Sequence, residues 1–232
     1  MTKFGVIGAM DDEIEMYLEH IQDRKETKWN IFTFYEGKFQ NHDIILVKSG
    51  VGKVFSSMVC QHLIDEFNPD MILFTGVGGS LNKELEIGDV VISIDSVHHD
   101  FNAVPLGFKR GQISYTDYRF FNAEQKLIDL AFKTELDKNK IIKGRILTGD
   151  QFFTQKDKAE HKYLVEELKG DCIEMEGAAV AQVCHINEVP HLIIRTVSDK
   201  ADGTAVEDYN NFKSIVAMNS FKIVKNIIKT FS

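Results

Sequence analysis

The chain has 232 residues, 44% of them hydrophobic, with 16 glycines, 3 prolines and 17 phenylalanines. That is enough apolar material for one well-buried core in a single domain, 1–232, and it excludes disorder, collagen-like repeats and a small disulfide-stapled fold. With 27 Lys and Arg against 35 Asp and Glu, the net charge of −8 disfavours nucleic acid or an anionic membrane as a partner.

Phe4 to Ala9 is a short apolar run and predicts a buried strand, and Asp11 to Ile21 predicts a helix with carboxylates in its first turn. Trp29 to Tyr35 and Lys38 to Lys48 have strand-like content, with hairpin turns expected at Gly37 and at Asn41-His42-Asp43. Ser49-Gly50-Val51-Gly52 predicts a turn, Val54 to Phe67 a helix ended by Pro69, and Met71 to Phe74 a short strand. Gly76, Gly78 and Gly79 predict a tight turn, and Val90 to Ile94 another strand.

Residues 96–122 lack a period and predict an irregular binding or partner segment. Beyond them come a helix over Ala123 to Leu136, a strand over Ile141 to Leu147 and a loop over Gly149 to Thr154. A charged helix over Lys156 to Leu168, a short strand at Cys172-Ile173 and a small-residue helix over Gly177 to Ile186 follow. The apolar strand Leu192 to Val197 and a long amphipathic helix over Tyr209 to Phe231 complete the chain. Alternating strands and helices with an early hairpin predict a three-layer α/β/α fold around a mixed, mostly parallel sheet.

Cys60, Cys172 and Cys184 are too few and of the wrong parity for a disulfide framework, and their apolar neighbours predict buried thiols in a reducing compartment. The opening MTKFGVIGAMDDE is interrupted by acids after one short apolar run, unlike a secretory leader. With no run of apolar residues long enough to span a bilayer, no membrane association is expected and the expected location is the cytoplasm.

Chemistry is expected where GAMDDE, TGVGG, TGDQFF, EMEG and SDKAD each follow a strand. In an open α/β sheet, ligands sit beyond the carboxyl ends of the strands. The glycine pattern matches neither a Walker loop nor a dinucleotide fingerprint, and there is no GxSxG elbow. His98, His99 and Asp100 lack zinc-site spacing and read as a polar loop; no metal or other cofactor is expected. Glu13 lies in a helix's first turn, where an acid often serves only the helix terminus. Glu174 and Glu176 directly follow an apolar run, and alternation would send both to one face. Asp199 ends the run LIIRTVSD, next to Ser198. Several carboxylates, a glycine segment and aromatics suit a cationic, sugar-like transition state with a flat leaving group stacked on Phe152, Phe153 or Tyr209.

The chain resembles the nucleoside phosphorylase/hydrolase superfamily, and within it the bacterial 5'-methylthioadenosine/S-adenosylhomocysteine nucleosidases. The resemblance runs through GVIGAMDDEI, SGVGKV, TGVGGSL, EIGDVVIS, HHD, TGDQFF, CIEMEGAAVAQVC and RTVSDKAD, in order along nearly the whole chain. One departure is TGVGGS where the family often reads TGxAGG.

The resemblance implies hydrolysis of an adenine nucleoside by water, in the service of methionine salvage and the activated methyl cycle. Asp199 would protonate adenine N7, Ser198 would hold Asp199, and Glu13 would activate the water. Glu176 would bind the ribose hydroxyls, with Met175 packing on the sugar and Arg195 organising the water site. Phe152 and Phe153 would lie at the purine, Met10 and Tyr209 would face the ribose or its 5' side, and Val77 and Gly78 would approach through their backbone. Related phosphorylases carry a phosphate-binding arginine just before the glycine segment; Phe74 and Thr75 stand there in this chain, which favours water as nucleophile. The alternatives are hydrolysis of futalosine-type or other purine nucleosides, a phosphate-dependent nucleoside phosphorylase, and a non-enzymatic interaction protein on the same fold, against which the intact set of Glu13, Glu176 and Asp199 speaks. The resemblance also implies a homodimer in which the partner's irregular segment closes part of the 5' site.

Overall fold

A computed structural model describes residues 1–153, 157, 160–199 and 205–231, and the side chains of all these except 205–216. The first half of the chain contains β1 (Lys3–Gly8), α1 (Asp11–Leu18), β2 (Gln22–Trp29), β3 (Phe32–Phe39), β4 (His42–Lys48), α2 (Lys53–Phe67), β5 (Met71–Ser80) and β6 (Val90–His98). After a 3-10 turn at Val104–Leu106 come β7 (Phe121–Asn122), α3 (Gln125–Phe132), β8 (Ile141–Thr148), α4 (Tyr163–Glu166), β9 (Cys172–Glu174), α5 (Gly177–Ile186), β10 (His191–Asp199) and α6 (Ala205–Thr230).

The sheet is mixed. β4, β1, β5 and β10 run parallel side by side, and β6, β8 and β9 form a second parallel group. The two groups meet along antiparallel seams, β10 with β6 and β5 with β9. The path β5–β10–β6–β8–β9 therefore returns to β5, so one end of the sheet curls into a closed ring while β1, β4, β3 and β2 extend from it as an open wing.

Alternation along the strands sorts side chains into two large cores, beside a smaller third cluster that includes Leu81, Val97, Leu147 and Phe153. Phe4, Val6, Leu46, Leu73 and Ile194 point toward α1, α3 and α6, where they meet Ile14, Tyr17, Leu127, Phe221 and Ile227. Ile7, Val47, Ile72, Phe74 and Ile193 point the other way, toward Val59, Leu63, Val180 and Cys184 of α2 and α5. The small residues of α5 let it lie close to α2, bringing Cys184 Sγ within 3.8 Å of Cys60 Sγ. All three cysteines are buried and unpaired by disulfides.

Several sequence expectations shift. The stretch from Trp29 to Tyr35 is not one strand: Asn30, at φ 52, turns the chain between β2 and β3. Gly37 lies inside β3, where a Cβ would meet Ile21 Cγ2 at 2.4 Å, and the next turn falls instead at Gln40 and Asn41. β2 has the sequence QDRKETKW, whose missing apolar alternation reflects an exposed edge strand. β6 extends through His98, and Phe121-Asn122 pair with it, so 96–122 is only partly irregular. The helix expected over 123–136 is confined to Gln125–Phe132. The one expected over 156–168 falls partly outside the described residues, which include Tyr163–Glu166 as helix.

Candidate active site

The site is built from the strand ends. β1 stops at Gly8, and the chain enters α1 through Met10 as the residue preceding its first turn. Glu13 is the third residue of that helix, so its carboxylate folds back onto the exposed backbone donors of the N-terminus. Oε2 accepts from the Ala9 N–H at 2.6 Å and the Met10 N–H at 3.0 Å. Oε1 reaches the sheet and accepts from the Val77 N–H at 3.0 Å. Three backbone donors thus fix the side chain and leave carboxylate acceptor capacity for a further partner.

That approach explains the glycines after Phe74. β5 does not turn at Gly76, Gly78 and Gly79; it runs straight through them to Ser80. A Cβ on Gly76 would stand 2.6 Å from Glu13 Oε1, and one on Gly78 would stand 2.5 Å from Cys172 Sγ. Their function here is close approach of side chains from either face, not positive φ.

Opposite β5, β10 carries Asp199 at its end. The register slips between Val197 and Asp199, which face Gly78 and Gly79, so Ser198 is the extra residue of a bulge. Ser198 Oγ donates to Asp199 Oδ2 at 2.9 Å, and both residues are buried.

Glu174 and Glu176 both face the same cavity, though β9 ends at Glu174 and Glu176 is the residue preceding α5. Glu176 Oε1 accepts from the Gly52 N–H at 2.7 Å. Glu174 is enclosed by donors: Thr148 Oγ1, the N–H groups of Glu176 at 3.1 Å and Gly177 at 2.7 Å, and Arg195 Nε at 3.0 Å and Nη2 at 2.5 Å. Arg195 is 1% exposed, donates through Nη1 to the Ile194 carbonyl at 3.0 Å, and lies 4.2 Å from the Phe74 ring centroid.

These groups surround a cavity of about 230 Å³. Of the residues singled out in the sequence, Met10, Glu13, Val77, Gly78, Phe152, Phe153, Met175, Glu176, Ser198 and Asp199 line it. Arg195 stands behind the wall, paired with Glu174. The Tyr209 side chain lies outside the described residues. Glu174, Val51 and Gln151 also line the cavity, although the resemblance implies no role for them. Glu174 had a signal, its position beside Glu176 after an apolar run, but its partner Arg195 is distant in sequence.

Crowding governs the electrostatics. Burial pushes the Glu13 carboxyl above its ordinary range, against the opposing pull of Arg195 and the three backbone N–H groups. Burial, reinforced by the neighbouring Glu174, pushes Glu176 up to about 8, while Arg195 and the Gly52 N–H act the other way. Burial weakens the charge of Arg195, yet Glu174, Glu176 and Glu13 more than offset it and hold its pKa above the usual value. One guanidinium among three glutamates leaves a surplus of carboxylate around a pocket suited to a developing positive charge.

His98 and His99, read as a polar loop, are buried at the end of β6. His98 Nε2 pairs with Gln182 Oε1 at 2.9 Å, and His99 packs edge-on to Phe153 with ring centroids 5.1 Å apart. Burial lowers the pKa of both, that of His99 to about 4. Among the described residues no group of three or more His, Cys, Asp or Glu converges to hold a metal ion.

A family model described as the phosphorylase superfamily matches residues 3–229. A 5'-methylthioadenosine/S-adenosylhomocysteine nucleosidase from Haemophilus influenzae (strain PittEE) is 33% identical, over 97% of this chain and 98% of that protein. The chain belongs to this nucleosidase family within the phosphorylase superfamily. A solved member of the nucleosidase family, from Colwellia psychrerythraea 34H in complex with adenine, superposes with a TM-score of 0.92 at 32% identity, covering 98% of this chain and 94% of that one. A futalosine hydrolase mutant of Helicobacter pylori superposes with a TM-score of 0.91 at 32% identity, covering 98% and 99%. The nucleosidase fold thus also carries a hydrolase named for a different nucleoside.

Proposed function

We propose that this protein hydrolyses the N-glycosidic bond of 5'-methylthioadenosine and S-adenosylhomocysteine, releasing adenine with methylthioribose or S-ribosylhomocysteine. The observation that carries this reading is the convergence of Glu13, Glu176 and Asp199 on one cavity in a chain of the nucleosidase family.

In this reading the purine lies along Phe152 and Phe153, whose faces suit a flat base. Asp199, held by the Ser198 hydroxyl, delivers its proton to N7 as the C1'–N9 bond breaks. The ribosyl group becomes oxocarbenium-like, and the carboxylates around it stabilise the charge. Glu176 receives the ribose hydroxyls, and Met175 packs against the sugar. Glu13 orients a water, whose oxygen bonds to C1' as its proton passes to the carboxylate. A base with a raised pKa accepts that proton more readily than an ordinary glutamate. Arg195, committed to Glu174, holds the glutamates in place from behind. Met10 and Tyr209 serve the ribose or 5' side.

Water rather than phosphate is the nucleophile in this reading. Phe74 and Thr75, which stand where related phosphorylases place their arginine, are buried, and Arg195 is taken up by Glu174. A second reading, hydrolysis of a futalosine-type nucleoside, is favoured by the Helicobacter pylori likeness and would preserve the same chemistry at the glycosidic bond.

The proposal extends to a homodimer and to the cytoplasm. The dimer is supported by exposed apolar side chains, Val51 at the cavity and Val54, Phe55 and Met58 on α2, and by Val104 and Leu106 in the 101–120 segment that a partner would receive. The location is supported by three buried free thiols.

The test is base release from methylthioadenosine, with and without phosphate. Equal adenine release in both supports hydrolysis, strict phosphate dependence refutes it, and release only from a futalosine-type nucleoside favours the second reading.

A further inference from the structure

Asp100 ends the HHD segment, and neither histidine nor aspartate of that segment has a role in the reaction described above. Its carboxylate nevertheless joins two segments that each lie next to the cavity, one just after Val51 and one just before Gln151, both of which line it. Asp100 Oδ2 accepts from Lys53 Nζ at 2.6 Å and from the Asp150 N–H at 3.1 Å. Asp150 Oδ1 in turn accepts from the Lys53 N–H at 2.9 Å. Lys53 is the first residue of α2, and the residue before it, Gly52, gives its N–H to Glu176. Two successive donors at this helix start are thus divided between Asp150 and Glu176. Gly52 has φ 98, a conformation that side chains rarely adopt, and a Cβ there would stand 3.2 Å from Asp150 Oδ1.

We propose that Lys53, Asp100 and Asp150 form a clasp that aims the Gly52 N–H at Glu176, making Asp100 a positioning residue for ribose binding. The inference rests on the nucleosidase reading of the site. The side chains of Lys53 and Asp100 are 24% and 32% exposed, so their ion pair is a weak source of stability. Its geometric effect is larger, because it fixes the backbone from which the Glu176 donor projects. The bond from Gly52 is charge-assisted while Glu176 is ionised, so its direction matters more than that of a neutral pair. Glu176 has little room to compensate, since it is 6% exposed and faces Glu174 in the same cavity wall.

The test is D100N in the full chain, with K53M as a second variant that opens the same link from its other end. With methylthioadenosine as substrate, KM rises about tenfold while kcat changes little, as expected for lost binding in both ground and transition states. The affinity for free adenine, which lacks the sugar, stays within about twofold, and in an E176A background, which has no acceptor for the Gly52 N–H, D100N raises the nucleoside KM no further. The inference is overturned by an unchanged KM, by a matching loss of adenine affinity, by full additivity with E176A, or by failure of both variants to fold. Activity of the unaltered protein on methylthioadenosine reports separately on the nucleosidase reading.

Discussion

Glu13 reconciles two roles that the sequence left as alternatives. An acid in the first turn of a helix ordinarily serves the terminus, and this one does accept from Ala9 and Met10. The same carboxylate bridges to Val77 on β5 and lines the cavity, so capping is what aims it. Such acids were legible because they follow apolar strands, as Asp199 and Glu176 also do. The pairing of Glu174 with Arg195 was not, since nothing local in either segment announces a partner across the sheet. Glu176 gives the residue-scale prediction. Its pKa is raised from 4.5 to about 8, so the folded state binds its proton more tightly than the unfolded state. The associated stability is complete below about pH 4.5 and is lost as pH rises through about 8. E176Q keeps an oxygen for the Gly52 N–H but carries no charge. Its thermal midpoint should therefore gain on the parent's from pH 5 to pH 9, by several degrees at roughly 2–4 °C per kcal/mol for a chain of this size. A constant difference between the two proteins across that range would contradict the assignment.

At the scale of elements, β5 shows how a strand can be mistaken for a turn. TGVGG has the composition of a tight turn, yet Gly76 and Gly78 are places where side chains from other segments approach the backbone. Glycine composition alone does not distinguish these uses, because the deciding atoms belong to Glu13, Cys172 and Arg195. G76A tests the point. The added methyl displaces Glu13 Oε1, which stands 2.6 Å from the position it would take. Displacement by about 1 Å of the carboxylate proposed to orient the water should lower kcat on the order of a hundredfold while the fold is retained. A circular dichroism spectrum like the parent's with undiminished kcat would rule out this use of Gly76. β2 failed to announce itself for a different reason. Its run of charged residues suits an exposed edge, where no buried face imposes alternation.

For the whole molecule, the alternation of strands and helices was legible apart from β2 and β7, and so was the three-layer arrangement. The ring closure was not, since it depends on the antiparallel seams β10–β6 and β5–β9 between segments far apart in the chain. That closure brings the β5, β9 and β10 contributions around one cavity. The exposed apolar side chains of Val51, Val54, Phe55 and Met58 lead to the expectation of a dimer. Sedimentation equilibrium should give twice the chain mass at micromolar concentration, and V54E with M58E should shift it toward the monomer; a monomeric parent would refute it.

In the proposed reaction water attacks C1' while the base leaves as adenine. Turnover of methylthioadenosine in oxygen-18 water containing phosphate, with the products read by mass spectrometry in an early time course, tests this directly. The expected products are adenine and methylthioribose carrying the heavy oxygen from the first turnover, with no sugar phosphate, and both products should be lost in D199N. Methylthioribose 1-phosphate without label, or undiminished turnover by D199N, would contradict this reaction.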